Sequence, residues 1–328
     1  MMMNMKKIIT LMILAVFLGS CYEDYIKDFD YDGIYFPYQT NVRTLVVGEG
    51  MQIRIGTALG GVRDNARDRE VQFQIDNSLV NADVLAAMKG GYPYIKDALS
   101  GVNELTLLPS NYYTLSDNSR MVIKKGDHSG TITLKADSAR FLADASTLTA
   151  GYVLPLRITQ ADADTVLESK NYAVIGLKYE NMLFGNYWHG GVTVEKDASG
   201  SVISEMRYYT TIPSPDSKAW TLSTVEPFSL VSNGVSDLSS TGKAEMKLTL
   251  SGGSVTIASL PGATYQVEPD GQSTYNQAKL LQDRRIYLKY KYQNSAGNWC
   301  YANDTLTFRN RIRDGINEWQ DENPENYK

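Results

Sequence analysis

The sequence predicts an all-β protein built from two domains. Apolar and polar residues alternate with a period of two from end to end, turn-forming pairs punctuate the runs, and only one stretch has helical spacing. Met51, Ile53 and Ile55 share one face opposite Gln52 and Arg54, and Val71, Phe73 and Ile75 alternate with Gln72 and Gln74. Ile132 and Leu134 sit between Thr131, Thr133 and Lys135, and Met246, Leu248 and Leu250 flank Lys247 and Thr249. Ile286, Leu288, Tyr290 and Tyr292 alternate with Tyr287, Lys289 and Lys291. Such runs are half-buried antiparallel strands, one face on the core and one in water. Gly60-Gly61, Gly126-Asp127, Ser251-Gly252-Gly253 and Asp270-Gly271 supply the turns between them, which is the punctuation of a sandwich or a barrel.

The chain opens with Lys6 and Lys7, a largely apolar run from Ile8 to Leu18, and two small residues. This is the order of an export signal, charged, then apolar, then small, and the run is shorter than the roughly 20 residues that span a bilayer. Leu18-Gly19-Ser20-Cys21 resembles a bacterial lipobox, which implies that residues 1–20 are removed and that Cys21 carries the acyl chains. Several buried chains, each gaining about 0.8 kcal/mol per CH₂, anchor a protein without a membrane helix. Residues 21–31 then form a tether. Glu23 and Asp24 resemble the acidic signal that sends Bacteroidetes lipoproteins to the outer face of the outer membrane.

Removing residues 1–20 takes two lysines and no acid, which leaves 30 basic against 37 acidic side chains. An acidic chain has no electrostatic footprint for nucleic acid. Cys300 is the only cysteine besides Cys21, so an exported chain must fold here without a disulfide, which its length allows.

Residues 81–88 (NADVLAAM) predict one short helix stopped by Gly90-Gly91. Pro155 within YVLPLRIT (152–159) predicts an edge strand or a bulge, because proline cannot donate to a ladder. Asp68-Arg69-Glu70 and the turn around His128 read as solvated loops. The stretch YAVIGLKY (172–179) is a further strand, and the pattern restarts in YENMLFGNYWHGG (179–191), which places the domain boundary near 179.

DGIYFPYQTNVRTLVVGEG (32–50), LLPSNYYTLSDNSRMVIKKGDHSGTITLK (107–135) and YVLPLRIT together resemble a Bacteroidetes lipoprotein module classed as a domain of unknown function. The same module precedes family 18 endoglycosidase domains. The resemblance implies an immunoglobulin-like β-sandwich over residues 32–178. FGNYWHGG and NEWQDENPENYK (317–328) resemble the domain that follows this module in short lipoproteins of polysaccharide-utilisation loci. About eight strand-like runs without helices predict a closed barrel or a second sandwich for residues 179–328. FGNYW is similar to the Gly-x-Trp opening of lipocalin-like barrels, with one extra residue between Gly185 and Trp188.

No enzyme is expected from the motifs. The Asp-x-x-Asp-x-Asp-x-Glu motif of family 18 hydrolases is absent, and Asp162 and Asp164 lack the remaining acids. His128 and His189 are far apart and neighbour no second ligand at a metal spacing. There is no Gly-x-Ser-x-Gly elbow, phosphate loop or dinucleotide fingerprint, and no cofactor is expected. Binding is the remaining class. All four tryptophans fall in the C-terminal half. Trp188, His189, Trp220, Trp299 and Tyr301 are therefore ligand-contact candidates, joined by Tyr92 and Tyr94 in GGYPYIKD. The resemblance implies a glycan as ligand, with an outer-membrane transporter and other surface lipoproteins as partners. The alternatives are a structural or adhesin-like protein-binding subunit without a sugar site, or a hydrolase of unrecognised type.

Overall fold

A computed structural model describes residues 31–208, 218–237, 243 and 245–321. Cys21, Glu23 and Asp24 lie outside the described residues.

In the N-terminal half the strands are β1 (Gly33–Tyr35), β2 (Thr40–Val47), β3 (Gln52–Gly60), β4 (Arg69–Ile75), β5 (Thr106–Leu107) and β6 (Tyr113–Leu115). They are followed by β7 (Arg120–Ile123), β8 (Ser129–Ala136), β9 (Tyr152–Ala161), β10 (Thr165–Val166) and β11 (Tyr172–Asn181). One sheet runs β10-β1-β3-β8-β6 and the other β2-β11-β9-β4-β7, with β5 paired to β9. The inward residues of both form one core that includes Ile34, Phe36, Leu45, Ile55, Phe73, Ile132, Leu154 and Leu177. This is the expected sandwich, and the alternation of exposed and buried residues along β8, from Ser129 to Ala136, follows the sequence pattern directly.

Three helices are described, where one was expected. Helix α1 (Ala82–Lys89) is capped by Asn81, whose side chain accepts from Val84 N at 3.0 Å. After Gly90-Gly91 the chain re-enters a helix at α2 (Pro93–Ala98), and α3 covers Ser138–Ala143. Leu85, Met88, Ile95 and Leu99 from α1, α2 and the residue after α2 pack on Val42, Val153 and Val174, covering the outer face of the second sheet. The continuous burial of Val153–Leu156 is explained by this second apolar layer.

Two expectations are corrected. Pro155 lies in β9, a central strand, not at an edge; the bulge expected as the alternative is present in β9, but at Thr159, where Phe73 pairs with Ile158 and Gln72 with Gln160. Pro155 stands opposite Val174, whose N–H donates to Gln39 O on the far side at 2.8 Å. That pair exchanges no hydrogen bond, and the Pro155 backbone faces its other neighbour, where its carbonyl accepts from Asp76 N at 3.1 Å. The missing N–H falls in the gap between the β5 pairing at Tyr152–Val153 and the β4 pairing that starts at Leu156. Likewise Arg69 is no loop residue: it begins β4, is buried, and pairs with Asp32 at 2.7 Å. His128 is exposed in its turn.

The C-terminal half contains β12 (Gly185–Lys196), β13 (Val202–Tyr208), β14 (Lys218–Glu226), β15 (Ser229–Ser232), β16 (Met246–Ser251) and β17 (Ser254–Ser259). Then come β18 (Val267–Pro269), β19 (Ser273–Tyr275), β20 (Arg285–Gln293), β21 (Trp299–Arg313) and β22 (Ile316–Glu318). The order β12-β14-β15-β16-β17-β19-β20-β21 returns to β12, so eight antiparallel strands close on themselves. Of the barrel and second sandwich expected for this half, the barrel forms. Trp220, Tyr187, Phe308, Leu288 and Tyr290 fill its interior, as side chains do in small barrels. FGNYWHGG enters the barrel as β12, and its glycines permit closure. A Cβ on Gly191, where φ is 148°, would come within 2.3 Å of Asn303 O on β21.

Candidate functional site

Gly190-Gly191 also marks an interruption in the wall. β13 pairs with residues 191–196 of β12 and β14 with residues 185–189, so Tyr208 and Lys218 meet β12 at neighbouring positions although nine residues separate them in the chain. Beside this interruption lies a buried polar cluster. Asp304 of β21, fully buried, accepts from Tyr208 Oη at 2.5 Å and from Tyr290 Oη at 2.6 Å. Burial, and then the Asp304 charge, push the Tyr208 and Tyr290 hydroxyls far above the usual tyrosine range, so both stay protonated donors. Tyr290 Oη in turn accepts from Ser236 N at 2.6 Å, and Thr193 Oγ1 lies 2.8 Å from Tyr208 Oη.

His189 is buried within this cluster. Its ring stacks on Trp220 at 4.1 Å and 15°, with Tyr208 on the other side at 4.7 Å. Nε2 is 3.2 Å from Asp304 Oδ2 without hydrogen-bond alignment. The candidates His189 and Trp220 are thus brought together, inside a filled barrel and away from solvent.

Trp188, Trp299 and Tyr301 face the other way, half-buried on the outside of β12 and β21. Each ring has a cation over one face: Arg309 over Trp188 at 4.5 Å, Lys291 over Trp299 at 4.5 Å and Lys196 over Tyr301 at 4.6 Å. A cation already seated on the π-face takes up the surface a sugar ring would stack on.

A large concavity lies elsewhere, a cleft of about 1220 Å³ between the sandwich and the β21–β22 hairpin. Tyr92 and Tyr94 stand on its wall at the start of α2, with rings 6.0 Å apart and 15° from parallel. Tyr94 is fixed, its hydroxyl donating to Asn41 Oδ1 at 2.7 Å, and Tyr92 is 61% exposed. Tyr38, 55% exposed, lines the same cleft.

The facing wall is the turn Asp314-Gly315, with φ of 51° and 81°. A Cβ on Gly315 would come within 2.8 Å of the Tyr94 ring, so glycine lets the turn lie against it. Asp314 accepts from Thr44 Oγ1 at 2.8 Å and from Arg43 Nε at 3.1 Å, which joins the hairpin to β2.

Below, the turn Gly48-Glu49-Gly50 of the sandwich projects into the barrel's arginines. Glu49 meets Arg284 at 2.7 Å, Arg311 at 3.3 Å and Arg313 at 3.4 Å. Arg311 also pairs with Glu318 at 2.5 Å, and Arg284 donates to the Met182 carbonyl in the connection between domains. Burial alone would raise the Glu49 carboxyl, but the charges of Arg311, Arg284 and Arg313 outweigh it and hold it at about 2.

Of the ligand-contact candidates named from the sequence, only Tyr92 and Tyr94 reach this cleft. Tyr38, Arg43, Glu49 and Asp314 were missed. Gly48-Glu49-Gly50 and Asp314-Gly315 carry a visible turn signal, yet nothing local says that the two turns cross to the other domain. Among the described residues no group of three or more His, Cys, Asp or Glu could hold a metal.

A family described as “-like, N-terminal domain” matches residues 29–165. No curated protein matches the chain significantly. A Bacteroides ovatus crystal structure of unknown function is similar at 21% identity, with a TM-score of 0.60 over 89% of this chain and 99% of that one. Another from the same species, also of unknown function, has 15% identity and a TM-score of 0.42 over 88% and 100%. The first of these likenesses spans both halves of the chain and is one of fold.

Proposed function

We propose that this chain is a non-catalytic glycan-binding lipoprotein, held at the outer membrane through Cys21 and facing the exterior. In this reading it binds a neutral oligosaccharide in the cleft between sandwich and barrel. The observation that carries the reading is the group of three tyrosines, Tyr38, Tyr92 and Tyr94, on one cleft. Pyranose C–H faces stack on such rings, and hydrogen-bonding side chains beside them orient the sugar. At about 1220 Å³ the cleft exceeds the usual range for small-molecule sites, roughly 300–1,000 Å³, which favours several sugar units over one. Its charges balance three against three: Arg43 is paired with Asp314, Arg313 with Glu49 and Glu318, and Arg54 donates to the Thr131 hydroxyl. A ligand rich in carboxylates or sulfates would have to compete with those pairs, so neutral sugars fit better. An outer-membrane transporter or neighbouring surface lipoprotein is the expected recipient of the captured glycan.

Calorimetric titration of the 22–328 fragment, which carries every described element, against neutral and uronate-containing oligosaccharides tests this. Tyr92→Ala removes an exposed ring and no core contact, so the fold persists while affinity falls about tenfold, the scale of one lost aromatic contact of about 1.4 kcal/mol. Silence across the panel, or binding indifferent to Tyr92→Ala, would remove the cleft as a glycan site.

A further inference from the structure

Every residue of β13 from Val202 to Arg207 is exposed, and only Tyr208 turns inward. Val202, Ile203 and Met206 are among the most exposed large apolar side chains, at 61%, 52% and 51%. β13 pairs with β12 on one edge and ends the sheet order, so its second edge has no strand beside it among the described residues. An apolar strand with a free edge is a template for another strand. Edges are ordinarily blunted by charged side chains, proline or bulges; here the bulge is confined to Ile203 and leaves 204–208 regular. The charges on this strand are Glu205 and Arg207, one of each sign.

We infer that β13 is a homodimerisation edge, pairing antiparallel with β13 of a second copy about a two-fold axis at Met206. The geometry selects this register. A two-fold perpendicular to a continuous antiparallel sheet keeps each residue on its own face, so a residue must sit opposite itself at the axis. With Glu205 or Arg207 at the axis, like charges would face each other, which is unfavourable. With Ser204 there, the ladder would run through Ile203, the extra residue at the β12 irregularity where Glu195 pairs with Ser204 and Lys196 with Val202. Met206 at the axis uses only the regular stretch 204–208. It sets Met206 against Met206, Ser204 against Tyr208, and Glu205 against Arg207 on both sides. In the single chain Glu205 and Arg207 already pair with each other at 2.6 Å, both solvent-exposed. Exchanging that contact for two reciprocal ones across the axis therefore costs little desolvation.

Sedimentation of the 22–328 fragment over a wide concentration range tests the inference. A concentration-dependent dimer is expected. Glu205→Arg or Arg207→Glu alone should weaken association about tenfold or more, by placing like charges opposite each other twice, and the double exchange should restore it. All these positions are exposed, so the variants retain the monomer fold. Met206→Cys should form an intermolecular disulfide on mild oxidation, since facing residues of an antiparallel pair fall within disulfide reach. Ser204→Cys should not, because its symmetry mate lies about 13 Å along the strand. The only other cysteine in the fragment, Cys300, is buried. A monomer at every concentration, a dimer indifferent to the charge reversals, or equal cross-linking through Ser204→Cys would overturn the inference.

Discussion

Glu49 is the residue on which the join between domains turns. It sits between Gly48 and Gly50, both with φ near +90°, so the turn can present the carboxylate outward from the sandwich. Arg284 and Arg311, each 1% exposed, would be costly to bury without it. Replacing Glu49 by Gln leaves those guanidinium groups short of a counter-charge and should lower stability by about 3 kcal/mol, within the range for breaking one partner of a buried pair. The pH dependence follows from the same contact. A carboxyl held at about 2 in the folded chain and at its ordinary 4.5 when unfolded stabilises the fold fully above pH 4.5. That contribution fades as pH falls through about 2. Denaturant titrations between pH 6 and pH 2 should therefore show a steeper decline in the native chain than in Glu49→Gln, which keeps only the share of the other carboxylates. A parallel decline in both would mean that the arginine contacts carry no net weight.

At the scale of elements, β12 and β21 do most of the positioning. β21 spans Trp299–Arg313. It contributes Asp304 to the barrel interior, Arg311 to the junction, and the turn Asp314-Gly315 that follows it to the cleft. β12 pairs with it from Asn186 to Lys196 only because the backbones approach closely at Gly191. Gly191→Ala adds a methyl group within 2.3 Å of a backbone oxygen, at a φ of 148° that alanine resists. The expected result is a loss of about 2 kcal/mol and a melting midpoint lower by several degrees. A thermal scan indistinguishable from the parent would show that the closure adjusts without cost. The strands were legible because one face of each is wet, and period-two alternation survives wherever that holds. Pro155 and Arg69 were misplaced for a different reason. Proline is excluded from a central strand only when its N–H would have been needed, and which N–H is needed depends on where two other strands end. Arg69 reads as solvated until Asp32, 37 residues away in sequence, comes to lie against it.

At the scale of the molecule, sandwich and barrel are linked by charge pairs and hydrogen bonds. Separate buried clusters fill the two halves, and Glu49, Asp314, Arg284 and Arg311 link them. The cleft is the space left beside this join, which is why its lining comes from stretches distant in sequence. The proposed location belongs to the whole chain as well. Cys21→Ser should move the protein from the membrane fraction into the soluble fraction of the envelope. Protease treatment of intact cells should degrade the native chain if it faces outward. Survival of the native chain under that treatment would place it on the inner side.

The sequence by itself determined the β class, the run of strands, the restart of the pattern after residue 179, and the residue types available for binding. These depend on local alternation, turn chemistry and composition, which a one-dimensional reading captures. Only the tertiary structure decided what each aromatic residue is for. Trp220 and Trp188 lie on strands with the same kind of pattern, yet one fills the barrel beside His189 and the other lies outside beneath Arg309. The side of the wall is set by barrel closure. The cleft likewise depends on which turns cross between domains, and that rests on a few charged pairs between residues more than two hundred positions apart.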